Sequence, residues 1–354
     1  MTEREQHEGF EAMIRRARAE QQPEQSEIRF HPPTPRGPGE DPDEWVVRIG
    51  PTRDRHVLVV GDVIDDLLVL PQGPIRPDTD TTSRIERRAG GSAANTACWL
   101  GSLGVPTTFV GTVHHDDVER HRALLERFGV EAVLHGSDLP TGTIVVLIED
   151  GRRTMLTSRG ANVETTPDLV TDELLRRATH LHLTGYSVFD GEDDEWRLLL
   201  ERAGQAGLTR SFDPSSAGRL AEFGTDRLAR ITAGTVEVLL ANRDEARALC
   251  GWDAPVLDHA RALLPAHPVV VVTDGRDGAV GTDRELAAIF EASAKQVDVV
   301  EPTGAGDAFD AGFLDAWTGG SWVLGALRRG TEVAARAVCT LGGRPSTTSA
   351  TSGP

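Results

Sequence analysis

The residue types best placed to do chemistry lie in VVEPTGAGDAFDAGFLDAW, Val299 to Trp317. A strand is expected to end near Val300, Pro302 to fix a turn, and Gly304-Ala305-Gly306 to open a helix running from about Asp307. Side chains this small at a helix start let a ligand reach backbone N–H groups, and the helix dipole adds positive potential there. An anion fits that place. A carboxylate beside a bound anion is repelled, so Asp307 needs a reason to be there. One reason is chemical: Asp307 takes a proton from a substrate hydroxyl while the amides of Gly304, Ala305 and Gly306 hold a transferring phosphoryl group. The other is structural, a glycine-rich turn with Asp307 as the helix N-cap.

Other stretches carry weaker signals. RRAGGSAANTACWLGSLG puts Gly90 and Gly91 before a helix whose first turn carries Ser92 and Asn95, and Asn95 can both donate to and accept from a hydroxyl. Tight helix packing with Asn95 as a cap explains the pattern equally well. In ANRDEA, Asn242 and Glu245 stand three residues apart on one helix face, which suits a hydrated Mg²⁺ and equally an N-cap with an acidic first turn. VVTDGRDGAV, with Thr273 and Gly275, reads as a ligand loop or a tight β-turn. The neighbouring His114 and His115 are expected to point apart, with no third ligand spaced nearby, so a metal site is not expected there. The chain has no G-x-x-x-x-G-K-[ST] loop, and no G-x-G-x-x-G follows a strand, which removes P-loop and dinucleotide-binding readings.

The elements that must hold these residues follow from texture. Apolar runs of the parallel-strand kind recur in HVLVVGD, TTFVGTV, HLHLTG, LTRSFDP, VEVLLAN and PVVVVTDG. Between them, helical spacing covers Ser92 to Leu103, Val118 to Phe128, Glu195 to Ala206 and Arg243 to Leu249. This alternation predicts an α/β fold, a doubly wound, mostly parallel sheet flanked by helices, with ligands at the carboxyl ends of its strands. Two segments, about 66–88 and 139–158, leave no room for crossover helices. They are assigned to a small β-lid, the second turning at Asp150-Gly151. Residues 1–54, rich in proline and charge, are expected to be a flexible extension of the domain at 55–345, and 346–354 a disordered tail.

Composition bounds the partners. The 37 Lys and Arg against 55 Asp and Glu give the 354-residue chain a formal charge of −18. That argues against nucleic acid and against an anionic membrane surface. No apolar stretch approaches a bilayer span, the first twenty residues lack a secretory core, and Cys98, Cys250 and Cys339 form no framework. A cytoplasmic protein is expected.

From Val57 to Gly343 the motifs, in this order, resemble the ribokinase-like (PfkB) family of carbohydrate and nucleoside kinases, TGAGDAF most specifically. The resemblance implies ATP and Mg²⁺ as cofactors and a sugar or nucleoside as acceptor. It places Asp66 of GDVIDD, with Gly91, Ser92 and Asn95, against the acceptor. It implies Asn242, Thr273 and Gly275 near the nucleotide, and Glu245 at Mg²⁺ through water. Gly304, Ala305 and Gly306 then form the anion hole and Asp307 is the catalytic base. Arg159, where the lid returns the chain, either grips an acidic sugar, as in some family members, or is a surface arginine paired with an acid. Ile64 stands where ribokinases carry Asn, which speaks against ribose. Glu301 replaces an Asp beside a monovalent-cation site, which leaves K⁺ open. A single tyrosine, Tyr186, favours a free sugar over a nucleoside. A sensor without turnover is the alternative of another class, and an exposed lid sheet would suit a homodimer.

Overall fold

The computed structural model describes residues 55–149 and 152–346. The expectations for residues 1–54, for the Asp150-Gly151 turn and for the tail beyond Ser346 lie outside the described residues.

Thirteen strands are described: β1 (Val57–Val60), β2 (Ile64–Pro71), β3 (Ser83–Gly90), β4 (Thr107–His114), β5 (Val130–Ser137), β6 (Gly142–Glu149), β7 (Arg152–Ser158), β8 (His180–Thr184), β9 (Thr209–Asp213), β10 (Val238–Asn242), β11 (Val269–Thr273), β12 (Ala279–Asp283) and β13 (Ala288–Ala292). Nine form one sheet in the order β13-β12-β11-β10-β9-β8-β1-β4-β5, parallel from β11 to β5, with β12 and β13 antiparallel at one edge. The principal helices are α1 (Ser92–Ser102), α2 (Val118–Glu126), α3 (Asp193–Gln205), α4 (Arg243–Cys250), α5 (Ala305–Thr318) and α6 (Val323–Val338).

Alternation along β1 shows why helices cover both faces. Val57 and Val59 pack into one core with α1, α2, α5 and α6, while Leu58 and Val60 enter a second core with α3 and α4. A strand buried on both faces must be apolar at every position, and all four residues of β1 are at most 1% exposed. Among the described residues, no helix is long and apolar enough to cross a membrane.

The smaller sheet runs β3-β2-β6-β7. Its outer pairs are antiparallel, but β2 and β6 pair in parallel, because the excursion through α1, β4, α2 and β5 supplies the crossover between them. Polar side chains, buried or half-buried, anchor its root. Asn162 clamps Val63, accepting from its N–H (2.9 Å) and donating to its carbonyl (3.1 Å). Arg120 grips Asp65 with two bonds (2.8 and 2.6 Å) and also bonds Asp117, which accepts from Thr141 (2.5 Å).

Two local expectations need correction. No strand ends near Val300: the last strand stops at Ala292, and the N–H groups of Val300 and Glu301 donate instead to the Val338 carbonyl at the end of α6. Val299 and Val300 are exposed, so their β-branched character reflects no sheet burial. The following helix begins at Ala305, two residues before the expected start.

His180 and His182 lie fully buried in the centre of the main sheet and share one partner, Ser211 Oγ, at 2.7 and 2.8 Å. Burial pushes both imidazoles down to about 3, with the neighbouring ring adding to the shift at His180. Between pH 6.5 and 3 the unfolded chain therefore takes up protons the folded chain refuses, and stability falls with pH. Between pH 6.5 and 5 this costs roughly 2 kcal/mol for each histidine. Buried carboxyls pushed upward act in the opposite sense, so the test is a difference: between pH 7 and pH 5 the urea-unfolding stability of His182→Asn should fall by about one histidine's share less than that of the parent, and an identical pH dependence would contradict the assignment.

Candidate active site

The chain turns from β1 outward to β4 and β5, then returns to place β8 on the other side of β1. Such a switch point opens a crevice at the carboxyl ends of the strands. A cavity of about 320 Å³ occupies it, walled by the loops after β1, β9, β10 and β11, the start of α5 and one face of the small sheet. That face shows the two-residue period: Ile64, Asp66 and Leu68 of β2 line the cavity, as do Ile144 and Val146 of β6 and Met155 and Thr157 of β7. Of the residues singled out in the sequence, Asp66, Gly91, Ser92, Asn95, Arg159, Asn242, Glu245, Thr273, Gly304, Ala305, Gly306 and Asp307 all line this cavity. Gly275 does not; it sits at φ 55° in the turn between β11 and β12.

Asp307 is the third residue of α5, and its carboxylate makes no capping bond to that helix. It reaches instead to the first turn of α1, accepting from Ser92 Oγ (2.7 Å) and Asn95 Nδ2 (2.9 Å). The N-cap alternative for Asp307 is therefore wrong. Burial pushes its carboxyl up to about 7, the nearby Asp213 and Asp62 charges add to the rise, and the bonds from Asn95 and Ser92 hold it down. Ser92 and Asn95, expected to face an acceptor, thus also orient Asp307. Asp62, which the sequence reading passed over, fixes α1 from the end of β1: its carboxylate accepts the N–H groups of Ser92 and Ala93, both at 3.1 Å. Its only local signal was an acid following Gly61 at a strand end.

Close approach explains the glycines. A Cβ on Gly90 would meet Asp66 Oδ2 at 2.2 Å, and one on Gly91 (φ 97°) would meet the Asp62 carbonyl at 2.5 Å. Gly304 is left-handed (φ 77°), and its Cβ would strike Gly343 Cα at 2.4 Å. Gly306 differs: a Cβ there meets nothing, because that side faces the open cavity. Ala305 N–H closes a turn on the Pro302 carbonyl (3.2 Å), so of the expected hole this amide is already engaged. The first-turn amides of Gly306 and Asp307 have no acceptor within the helix. This open cradle fits a phosphate.

Toward α4, Asn242 and Glu245 form the capping box that their spacing also allowed. Glu245 accepts from the Asn242 N–H (2.9 Å) and side-chain amide (2.7 Å), and the Glu245 N–H donates to Asn242 Oδ1 (3.0 Å). Glu245 is buried and pushed up to about 7 by that burial. Asp213 at the end of β9 and Asp310, one turn after Asp307, share a hydrogen bond, and desolvation pushes both well above the carboxylate range. Neither was singled out in the sequence, though an acid at a strand end and an acid three residues after Asp307 on the same helix were readable signals. Asp310 Oδ2 is buried without a partner, and with Asp213, Glu245 and Asp307 it lines the same cavity. A hard, oxygen-liganded cation such as Mg²⁺ fits that donor set.

Arg159 is tied down. It pairs with Asp190 (2.7 Å), donates to the Tyr186 carbonyl (2.7 Å) and lies over the Tyr186 ring. His114 and His115 do not point apart as expected: β4 ends there in a 3₁₀ turn, their rings lie 4.0 Å apart, and ligand atoms of both come within 4.8 Å of each other and of Asp116. None of the three lines the cavity.

With the geometry in view, comparisons with known proteins are informative. Residues 54–350 match the model for the pfkB family carbohydrate kinases. An ATP-dependent ribose-1-phosphate kinase of Halopiger xanaduensis is 29% identical, over 74% of this chain and 84% of that protein. A nucleoside kinase of Methanothermobacter thermautotrophicus is 30% identical, over 76% and 85%. Among solved structures, a putative ribokinase II of E. coli in complex with ATP and Mg²⁺ aligns with a TM-score of 0.71 at 23% identity, covering 82% of this chain and 94% of that one. Fold, site and family match agree: the chain belongs to the pfkB family of carbohydrate kinases, enzymes that transfer a phosphoryl group.

Proposed function

We propose that this chain transfers the terminal phosphoryl group of ATP to a hydroxyl of a small sugar, with Asp307 as the base. The observation that carries this reading is the setting of Asp307: in the cavity, beside the free amides of an α-helix start, with its carboxyl pushed up to about 7. A base poised near the working pH removes a proton most effectively. Asp66, Gly91, Ser92 and Asn95 orient the acceptor so that one hydroxyl faces Asp307 and the phosphoryl group on the Gly306 and Asp307 amides. The hydroxyl oxygen then attacks phosphorus, its proton passes to Asp307, and ADP leaves. Asn242 and Thr273 flank the nucleotide side, and Gly275 shapes the turn behind them. Bound at Glu245 and its acidic neighbours, Mg²⁺ would offset charge on the transferring phosphate. The small sheet acts as a lid that keeps out water, a competing acceptor.

A nucleoside acceptor is the weaker reading. Its base would need an aromatic face, and Tyr186 has a ring already covered by Arg159, 5.3 Å from the ring centre.

Replacing Asp307 by Asn should lower kcat about 10²–10⁴-fold in an ADP-release assay while ATP affinity stays within about threefold. Near-normal turnover would remove Asp307 from its role; binding with no turnover in the parent protein would favour the sensor. The pH profile gives an independent check. Asp307 must be ionised to act, so kcat/KM should rise about tenfold between pH 6 and pH 8, with an inflection near 7. Because the Ser92 bond holds the carboxyl down, Ser92→Ala should move that inflection upward. A profile flat through this range would contradict the assignment.

A further inference from the structure

Two arginines the mechanism does not use stand at the acceptor end of the cavity. Arg88, on β3 directly opposite Asp66, lines the cavity; its Nη2 donates to Glu86 (2.8 Å), an acid that also pairs with Arg84. Arg344 follows the Gly342-Gly343 segment of the cavity wall, donating from Nε to Asn95 Oδ1 (3.3 Å) and from Nη2 to the Gly90 carbonyl (3.0 Å). Arg88 approaches the segment that carries Arg344, its Nη1 lying 3.7 Å from where a Cβ of Gly342 would stand. Each guanidinium is anchored along one edge, and on each the Nη1 is buried without a hydrogen-bond partner. Among the described residues, Arg344 has no carboxylate within ion-pair distance. Arg159 also has a buried Nη1 without a partner and shares its acid, Asp190, with Arg219, but its bonds hold it against Tyr186 rather than against Asn95 or the Gly90 segment.

A buried guanidinium N–H without a hydrogen-bond partner is costly, and one anion held between Arg88 on the cavity wall and Arg344 just behind it would satisfy both. Planar forks suit carboxylate and phosphate alike. The location assigns the anion to the acceptor: Arg344 bonds Asn95 and Arg88 stands opposite Asp66, both acceptor-side residues, and neither arginine bonds Asn242 or Thr273. A wall otherwise rich in carboxylates (Asp62, Asp66, Asp213, Glu245, Asp310) would repel an anionic sugar unless positive charge met it. We infer that Arg88 and Arg344 form a receptor for an anionic group on the acceptor, so that the substrate is a sugar phosphate or a sugar acid rather than a neutral sugar. This rests on the kinase reading above and narrows its substrate class.

Matched acceptors test it: ribose against ribose 1-phosphate and ribose 5-phosphate, fructose against fructose 6-phosphate, and glucose against gluconate, each assayed for ADP release. The anionic member should win by at least about tenfold in kcat/KM, and the phosphate and carboxylate pairs identify which anion is held. Arg88→Gln and Arg344→Gln should each raise KM for that acceptor about tenfold or more, leave KM for ATP within about twofold, and raise KM for the neutral partner several-fold less than for the anionic one. A fall in kcat with every acceptor would show that the arginines only brace Asn95, and a raised KM for ATP would assign them to the nucleotide; either overturns the proposal. Calorimetry with the same sugars on the Asp307→Asn protein reads binding without turnover. Equal affinity for neutral and anionic partners overturns the anion receptor, whereas absence of ADP release from every acceptor, with anionic preference in binding intact, overturns only the kinase reading.

Discussion

One pair of hydrogen bonds ties the site together: Asp307 to Ser92 and Asn95, across more than two hundred residues. It joins the N-terminal ends of α1 and α5, which pack side by side in the same core. Asp62 fixes the start of α1, and Gly304 lets the start of α5 lie against Gly343. Each helix start thus has a contact that sets its position, and the carboxylate bridges the two. With both ends constrained, Asp307 has little rotamer freedom to lose on meeting a ligand, which is how a scaffold pre-organises a reacting group.

A second constraint is electrostatic. Asp62, Asp66, Asp213, Glu245, Asp307 and Asp310 all border one cavity in a chain of net charge −18. Burial pushes five of them above their ordinary range, Asp66 to about 6 and Asp307 to about 7. Carboxyls crowded this closely hold protons unless a cation replaces them. Their capacity to ionise is therefore linked to what binds. A divalent ion beside Glu245 and Asp310 would lower neighbouring pKa values, and Asp307, the proposed base, would then be fully ionised only when the site is loaded.

Much of the fold could be read from β1, β4, β8, β9, β10 and β11, because a parallel strand buried on both faces leaves an unbroken apolar run. The edge strands β5 and β13 were missed: half-buried and interrupted by polar residues, they lack that run. Of the site, TGAGDAF and GGSAAN were legible because glycine spacing has few explanations. Asn242 and Glu245 were ambiguous for a physical reason: a capping box and a water-mediated metal site ask for the same residues at the same spacing, and here the box is made while both side chains line the cavity. Arg344 gave no signal at all. Its partners, Asn95 and Gly90, lie about 250 residues away, and nothing in LGGRPS marks a guanidinium that folds back on α1.

The unmatched groups in this structure are unevenly distributed, and that distribution is itself informative. Folding leaves few buried polar atoms unsatisfied, because each costs more than an ordinary hydrogen bond returns. Yet the buried atoms of the cavity region that lack partners include one carboxylate oxygen, on Asp310, and guanidinium nitrogens on Arg88, Arg159 and Arg344. The carboxylate stands with the acids near α4; the guanidiniums of Arg88 and Arg344 stand with Asp66 and Asn95. An enzyme holding one neutral ligand would have no reason to keep opposite charges unsatisfied at two ends of one cavity. On the proposed reading, two ligands of opposite local charge, a cation with its phosphates at one end and an anion-bearing acceptor at the other, would satisfy both, with Asp307 between them to take the proton.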